Sequence, residues 1–285
     1  MRSGSTVRRR PLRLHLLFVT LLSSVSTALA TPATAQGENG YLRGKGGLVV
    51  AIDRSTATFE EEVTTGNFLD VDRTTHSVYV DYGLRDDLDL IVQPLIKRAR
   101  PEDLTQGLGE EELTDLNLGL KWRAWKRDVG RGELHFLLAP GIQTPLRNYE
   151  TEGTFALGSG HTDYKARGIA HYHLRTGEFW ASVEAGYDFR SSEPPDVLVI
   201  RAQLGFNLGL AVLQPYYDLF DARGGEDDPT AGAVEASGVD YDQYGLKLFV
   251  PLERRLGLTL SSYRLDDGRA TGSIEGFSIG LVYSG

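Results

Sequence analysis

Cysteine is absent from the 285-residue chain, and methionine occurs only once. Without cysteine, neither disulfide bonds nor thiolate metal sites can hold the fold together. Long apolar runs are scarce too, because the stretch 14–29 is shorter than the roughly 20 residues that a membrane-spanning helix needs. Heptad repeats and low-complexity tracts are also missing, so nothing in the sequence indicates a second domain.

Beyond the N-terminus, acidic residues outnumber basic ones. The whole chain has a net charge of -9, and residues 1–35 contain five arginines but no acidic residue. The chain that remains after their removal is therefore more acidic still. Such a charge argues against nucleic acid and other polyanions as partners.

Residues 1–35 have the features of a cleaved signal peptide. Four arginines between positions 8 and 13 precede the apolar stretch, and Ala33-Thr34-Ala35 offers small residues for cleavage. We predict a signal peptide at 1–35, a short N-terminal segment at 36–44 and a single barrel domain at 45–285. The sequence leaves open whether the segment 36–44 enters the barrel as a plug.

From residue 45 onward, polar and apolar residues alternate. The run from Asp115 to Ala124 is an example, and similar runs recur about twelve times before the C-terminus. A period of two is typical of β-strands with one apolar and one polar face. The predicted strands are 45–59, 74–84, 87–98, 112–125, 132–145, 162–175, 177–190, 196–208, 210–220, 240–252, 255–265 and 273–283.

The connections between these strands alternate between long polar segments and tight turns. The first long segment is expected at Glu60–Arg73, and the first tight turn surrounds Asp86. Long loops at one end, short turns and both termini at the other, and an even strand number are typical of outer-membrane barrels. The predicted fold is all-β: a transmembrane up-and-down antiparallel β-barrel of about 12 strands, in the outer membrane of a Gram-negative bacterium. Local bulges are expected at the prolines inside the strands, Pro94, Pro140, Pro215 and Pro251.

The two faces of each strand differ in character. Leu118, Leu120 and Trp122 share one face of the fourth strand and are expected to face lipid, whereas mid-strand charges share the opposite face. An outward Lys or Arg at the bilayer midplane costs about 2–4 kcal/mol, so these charges are predicted to line the lumen. The predicted lumen-lining residues are Asp81, Asp89, Asp115, Lys121, Arg123, Lys165, Arg167, His171, His173, Glu184, Asp188, Arg201, Asp218 and Lys247.

A twelve-stranded lumen lies between a small, filled barrel and a wide aqueous pore. Because the lumen charges have both signs, they can pair and stiffen the wall, or they can line a path for a permeant. The sequence leaves both possibilities open. Glycines recur on the lumen face, among them Gly83, Gly186 and Gly205, and are expected mainly to let neighbouring side chains lie across the wall.

Catalytic constellations are not evident. His76 and Ser77 are adjacent, so on a strand they point to opposite faces and cannot act as a hydrolase pair. We therefore predict no catalytic residues and no cofactor. The acidic triplets at 60–62 and 110–112 are expected in outer loops, where solvated charge is the favoured interpretation and binding of divalent cations that bridge lipopolysaccharide is the alternative.

Two histidines raise the possibility of a metal site. His171 and His173 share a face, but Lys165 and Arg167 flank them and no carboxylate is close in sequence. Nearby cations repel a metal ion, so polar lining of the lumen is the favoured interpretation and no metal is predicted.

Three stretches resemble one family. Residues 157–164, followed by Gly186-Tyr187 and Leu204-Gly205-Phe206, are similar to outer-membrane proteins classed as transporters associated with phenol meta-cleavage degradation. Residues 114–122 look like a strand opening of that family, and 82–88 matches its periplasmic turn. The resemblance covers roughly residues 74–285. It implies a twelve-stranded channel for small, hydrophobic or aromatic compounds and supplies no binding residues.

The sequence thus predicts an outer-membrane channel or transporter for passive or facilitated uptake of small compounds, and not an enzyme. The expected partners are outer-membrane lipid and lipopolysaccharide, the barrel-assembly machinery and a small-molecule permeant. The main alternative is a structural or sensing barrel with a closed lumen. A soluble periplasmic β domain and an outer-membrane lipid hydrolase are weaker alternatives.

Overall fold

The computed structural model describes residues 40–64, 67–101, 112–149, 157, 160–191, 195–222, 241–266 and 274–285. The predicted signal peptide lies outside the described residues. Within them, no helix has the length and the apolar character needed to cross a membrane.

Twelve β-strands make up most of the described chain. Along each strand the side chains alternate between two faces, as the period of two in the sequence predicts. The strands are β1 Leu48–Thr64, β2 Asn67–Arg85, β3 Leu88–Pro101, β4 Glu112–Val129, β5 Gly132–Pro145, β6 Asp163–Leu174, β7 Phe179–Arg190, β8 Val197–Asn207, β9 Val212–Ala222, β10 Tyr241–Pro251, β11 Leu256–Asp266 and β12 Ile274–Ser284.

The strands form one closed antiparallel barrel. Each strand pairs with its neighbours in sequence, and β1 also pairs with β12, from Val49 opposite Ser284 to Thr58 opposite Glu275. Closure gives the backbone N–H and C=O groups partners on both sides of every strand and leaves no free edge, which a lipid environment requires. The predicted fold class, a twelve-stranded antiparallel barrel, is confirmed.

The two ends of the barrel differ in their connections. At one end, which we call the turn end, lie the first residue of β1, the last residue of β12 and five short connections. In outer-membrane barrels this end faces the periplasm. The connections at the turn end are 86–87, 130–131, 175–178, 208–211 and 252–255.

The first hairpin departs from the sequence prediction. β1 and β2 extend so far that only residues 65–66 connect them, and the long loop predicted at Glu60–Arg73 is wrong. The ladder continues through that region, with Phe59 opposite Val71. The prediction was wrong because it took a polar segment for a loop. An antiparallel hairpin can extend beyond the bilayer into water, where both of its faces can be polar.

This extension also relocates acidic residues. The triplet 60–62 belongs to β1 rather than to an outer loop. In the triplet 110–112, Glu112 is the first residue of β4, and the other two residues lie outside the described part of the chain.

Prolines interrupt the ladder on one side of their strand. The β4–β5 pairing omits Pro140, and the β8–β9 pairing omits Pro215. Proline has no N–H to donate, so the ladder loses pairs there without changing register. The bulge predicted at Pro94 is present, as a register shift between Pro94 and Ile96. The bulges predicted at Pro140, Pro215 and Pro251 are wrong, since the described pairings of these residues continue in regular register.

The outer face of the barrel is apolar over most of the wall, although Arg54 and His76 also lie on it. Ile52, Leu246 and Leu281 are exposed there in mid-wall, as lipid contact requires. Aromatic side chains gather on the same face near the turn end, where the Phe179 and Phe206 rings lie 5.4 Å apart. Aromatic belts of this kind mark the boundary between lipid and headgroups. The belt residues are Tyr82, Trp122, Tyr172, Phe179, Phe206 and Tyr283.

The inner face is not uniformly polar, in contrast to the simple pattern of apolar residues outside and charges inside. Six buried side chains form an apolar cluster inside the barrel towards the turn end, and Ile91 packs against it. Much of this part of the lumen is therefore filled with protein. The cluster comprises Val49, Ala51, Tyr79, Val212, Phe249 and Val282.

The assignment of the outer face predicts the effect of an arginine in mid-wall. Replacing Leu246, at the middle of β10, by Arg should lower the free energy of unfolding in lipid vesicles by about 2–4 kcal/mol, because the charge must enter the bilayer core. Urea titration of vesicle-folded protein measures this loss. The control Leu252→Arg, in the exposed connection 252–255, should cost less than about 1 kcal/mol. Equal losses at the two positions would contradict the assigned membrane face.

Candidate functional site in the barrel lumen

A short N-terminal segment, residues 40–47, lies inside the turn end of the barrel. The backbone N–H of Gly46 donates to the carbonyl of Gly83 at 2.8 Å, and the N–H of Gly83 donates to the carbonyl of Gly47 at 2.9 Å. The segment is thereby attached to β2. The sequence had left open whether this part of the chain enters the barrel, and for residues 40–47 the structure shows that it does.

Glycine at position 83 is required by the close approach of this segment. A Cβ on Gly83 would overlap the carbonyl oxygen of Gly44. Two other lumen glycines have the role that the sequence predicted for them: the side chain of Arg167 lies across Gly186, and the indole of Trp180 lies across Gly205. Missing side chains at these positions accommodate neighbours and do not enlarge the lumen.

Arg43 attaches the segment to acidic residues of the wall. Its Nε donates to Asp81 Oδ2 at 2.8 Å, and its backbone N–H donates to Asp89 Oδ2 at 2.9 Å. Lys121 Nζ lies 3.5 Å from the same oxygen of Asp81. The side chains of Asp81 and Lys121 are fully buried, so the charges depend on one another to offset their desolvation.

Tyr41 packs against the opposite wall. Its ring lies edge-on to His171 at 4.4 Å and to Trp180 at 6.0 Å, measured between ring centroids. Burial raises the pKa of the Tyr41 phenol to about 12. The backbone of Gly40 also lies against His171. The segment therefore crosses the lumen from β2 and β3 to β6 and β7.

A series of ion pairs follows the inner face from β6 to β9. Arg167 donates to Asp188 Oδ1 at 2.6 Å and to Glu184 Oε1 at 2.7 Å. Arg201 lies 4.0 Å from Glu184 and 3.6 Å from Asp218. Positive and negative side chains alternate along this series, so they neutralise one another between adjacent strands.

A second polar group spans β3 to β6. Asp115 accepts a hydrogen bond from the Tyr149 hydroxyl at 2.6 Å and lies 3.7 Å from Lys97 Nζ. Lys165 Nζ donates to Gln143 Oε1 at 2.9 Å. Hydrogen bonds to neutral amides and a phenol thus supplement the ion pairs on this wall.

The described residues enclose two cavities inside the barrel. The larger has a volume of about 350 Å³ and is lined from β2 to β10, and the smaller has a volume of about 230 Å³ and is lined by β1–β3 and β8–β12. Tyr79, Gln93 and Arg201 border both cavities. Their linings combine charged groups and amides with aromatic rings, namely Phe220 and Tyr241 in the larger cavity and Tyr216 and Tyr263 in the smaller.

The residues predicted to line the lumen all occupy inner-face positions of their strands. Arg123 lies at the mouth of the turn end, where its Nη2 donates to the carbonyl of Asp86 at 3.1 Å. Lys247 Nζ lies over the ring of Tyr216, 5.5 Å from its centroid. That these side chains line a permeation path stays a prediction.

Several inner residues were missed from the sequence. Tyr41 and Arg43 precede the alternating pattern, so no strand phase assigned them a face. Lys97, Glu133 and His135 do follow the phase of their strands, but they lie close to strand ends and not among the mid-strand charges. For these three residues, the alternation of polar and apolar positions would have predicted the inner face.

The adjacent pair that was rejected as a hydrolase site separates as expected. His76 lies on the outer face of β2, and Ser77 lies buried on the inner face. At the turn that follows β2, Arg85 donates two hydrogen bonds to Asp87, which hold the pKa of that carboxyl below its usual value.

Comparison with known families gives one match. The family described as "Putative MetA-pathway of phenol degradation" matches residues 31–279. No curated protein matches the chain. The family resemblance read from the sequence is thereby confirmed.

Comparison with solved structures identifies barrels of the same kind. The crystal structure of an outer membrane channel from Pseudomonas putida F1 superposes with a TM-score of 0.65 at 13% identity, covering 88% of this chain and 99% of that one. The NanC porin has a TM-score of 0.51 at 9% identity, covering 82% and 98%. Outer membrane phospholipase A from Escherichia coli has a TM-score of 0.46 at 11% identity, covering 81% and 89%. At these identities the likeness concerns the fold, which does not by itself specify function.

The ion pairs of the lumen predict a stability difference between inner and exposed charges. Replacing Arg167 by Met should lower the free energy of unfolding by about 3 kcal/mol, because Asp188 and Glu184 lose their shared partner in a buried position. Chemical denaturation in detergent measures this loss. The control Arg85→Met removes an exposed pair with Asp87 and should cost less than about 1 kcal/mol. A loss for Arg167→Met as small as that of the control would show that the lumen is hydrated there.

Proposed function

Because the chain belongs to the family described as "Putative MetA-pathway of phenol degradation", we propose that it is an outer-membrane channel for the uptake of small compounds, including aromatic ones. The proposed uptake is passive or facilitated. The proposed location is the outer membrane of a Gram-negative bacterium, which is where barrels with this fold reside.

The pair of cavities inside the barrel is the observation that carries this proposal. A small aromatic compound with a hydroxyl or carboxyl group needs apolar faces for its ring and hydrogen-bonding groups for its substituent. Rings of Tyr79, Tyr216 and Tyr263 supply the first, and the amides of Gln93 and Gln243 supply the second. The lining is therefore compatible with a small amphipathic aromatic compound.

Passage through the barrel requires the N-terminal segment to move. Residues 40–47 lie across the turn end, and the apolar cluster fills much of the remaining section. In this conformation the segment and the cluster obstruct the turn end. We infer that opening of the lumen displaces the segment from Asp81, Asp89 and His171. Before opening, a permeant binds in the cavities on the far side of the segment.

A structural or sensing barrel with a closed lumen is the second candidate. The observation in its favour is the density of pairing inside, with the Arg167 and Arg201 ion pairs on one wall and Arg43 bound across the turn end. Such pairing stiffens a wall without any transport. Conductance separates the two candidates, because a sensing barrel stays closed when the segment is released.

Partners follow from the same proposal. The apolar outer face binds outer-membrane lipid, and the end of the barrel opposite the turn end contacts lipopolysaccharide. The barrel-assembly machinery inserts the chain. A small permeant is the soluble partner.

A single substitution should release the segment. In Gly83→Ala, the new methyl group occupies the place of the Gly44 carbonyl oxygen, so residues 40–47 must leave β2. Single-channel recordings in planar bilayers should then show larger or more frequent conductance steps than the unaltered mature chain. The matched control is Gly119→Ala, also on the inner face, where the nearest atoms to the new Cβ lie at 3.7 Å.

Heat-modifiable migration on gels establishes that each variant has folded before it is recorded. If folded Gly83→Ala shows no conductance steps, the result would favour the closed, non-transporting barrel. Equal steps from both glycine variants would show that the effect does not come from the segment.

The substrate class can be tested on the open Gly83→Ala variant. Benzoate should block the current transiently at concentrations where cyclohexanecarboxylate does not, because the two anions differ mainly in aromaticity and the cavity walls present aromatic rings. Block frequencies in single-channel recordings measure this preference. Equal block by the two anions would contradict an aromatic preference while leaving the channel itself intact.

A further inference from the structure

Three side chains converge at the turn end on the inner faces of β5 and β6. Glu133 lies directly opposite His173 in the β5–β6 ladder, and His135 follows Glu133 on the same face of β5. His135 Nε2 lies 3.3 Å from Glu133 Oε2, and His173 Nε2 lies 3.8 Å from the same oxygen. One ligand atom from each of the three residues falls within 4.8 Å of the other two.

We propose that Glu133, His135 and His173 form a binding site for a divalent transition-metal ion of the Zn²⁺ type. Two imidazole nitrogens and one carboxylate are a common ligand set for Zn²⁺. Bond lengths of about 2.0–2.1 Å in a tetrahedral site place pairs of ligand atoms about 3.3–3.5 Å apart. The observed distances of 3.3 and 3.8 Å therefore need only small side-chain movements to close around an ion.

A neighbouring histidine gives independent support. His171 lies opposite His135 in the ladder and is fully buried, and neither of its ring nitrogens has a hydrogen-bond partner among the described residues. The Nδ1 atom of His173 is unpartnered in the same part of the chain. Buried polar atoms are normally satisfied, so unpartnered imidazoles beside a carboxylate point to a ligand. The ring centroid of His171 lies 5.6 Å from that of His173, so His171 lies beside the three proposed ligands without being one of them.

Two cations now neutralise the carboxylate, and both can give way. Lys126 Nζ lies 2.6 Å from Glu133 Oε2, and Arg175 Nε lies 3.7 Å from Glu133 Oε1. Their side chains are 46% and 52% exposed, so each can turn into water. Arg175 keeps a partner when it leaves, because its Nη2 lies 2.6 Å from Asp128. Lys126 is thus a competitor of the metal ion for Glu133.

This geometry supplies the carboxylate that was missing from the sequence prediction. No carboxylate is near His171 and His173 along the chain, but the antiparallel register brings Glu133 beside His173. The flanking cations named there, Lys165 and Arg167, interact instead with Gln143, Asp188 and Glu184. The site is also reachable, since Glu133 and His173 are each about one-fifth exposed at the turn end.

The site lies beside the N-terminal segment. The ring of Tyr41 lies 5.7 Å from His173 and 4.4 Å from His171. A bound ion would therefore join β5 to β6 at the place where the segment meets the wall. The inference concerns binding alone and does not depend on the proposed channel.

Isothermal titration calorimetry of the detergent-refolded, chelator-treated mature chain with ZnCl₂ tests the proposal. One ion per chain should bind saturably. Removing a supporting partner of a metal ligand costs 10–100-fold in affinity, so removing a direct ligand in His173→Ala or Glu133→Gln should cost about a hundredfold or more. Lys126→Ala should bind more tightly than the unaltered protein, because the competing ammonium is gone.

The control is His76→Ala, which removes a histidine from the outer face of β2 and should leave binding unchanged. Heat-modifiable migration shows that each variant is folded, and Glu133→Gln retains nearly the shape of the native side chain. Absence of saturable binding, or equal affinity in His173→Ala and the unaltered chain, would overturn the proposal. Weaker binding in Lys126→Ala would overturn the competition between Lys126 and the ion.

Discussion

Backbone hydrogen bonding in a medium without water is the constraint on which this structure depends. A chain without cysteine gains no covalent links, and in lipid it has no hydrophobic drive to collapse into a core. The closed ladder supplies what is missing, since the β1–β12 pairing leaves every strand bonded on both sides. Because the ladder fixes the shape of the wall, the inner face is free to hold charges, apolar residues and a length of chain that is not a strand.

That freedom explains why the lumen is narrower than its strand number suggests. On one side of the turn end, Val49, Phe249 and Val282 pack together as they would in a soluble core. On the other side, Arg43 and Tyr41 bring part of the N-terminal segment against β2, β3, β6 and β7. Two different kinds of packing thus close one end of the same barrel, while the cavities towards the middle retain a mixed polar and aromatic lining.

The alternation of polar and apolar residues determines which parts of this fold and site can be predicted from the sequence. Alternation assigns each residue to a face, and this was enough for all twelve strands and for the inward phase of residues such as Asp81 and Arg201. Alternation does not specify which residues of neighbouring strands lie opposite each other. The contact between Glu133 and His173 therefore depends on the β5–β6 register, which only the structure shows. Nor does alternation place residues such as Arg43 that precede the first strand. The polar tip of the first hairpin was assigned to a loop because composition reports the surrounding solvent and not the pairing of the backbone.

The charges around Arg43 bear on the proposed opening of the turn end. Asp81 and Asp89 are buried, and Arg43 and Lys121 bring two positive charges to them. Withdrawal of Arg43 takes away one of those charges, which is costly while the acids stay desolvated. Water that enters as the segment leaves restores their hydration, so the cost of opening falls as the lumen fills. A buried charge cluster therefore favours two states, one dry with the segment in place and one wet with the segment released, over any half-open arrangement.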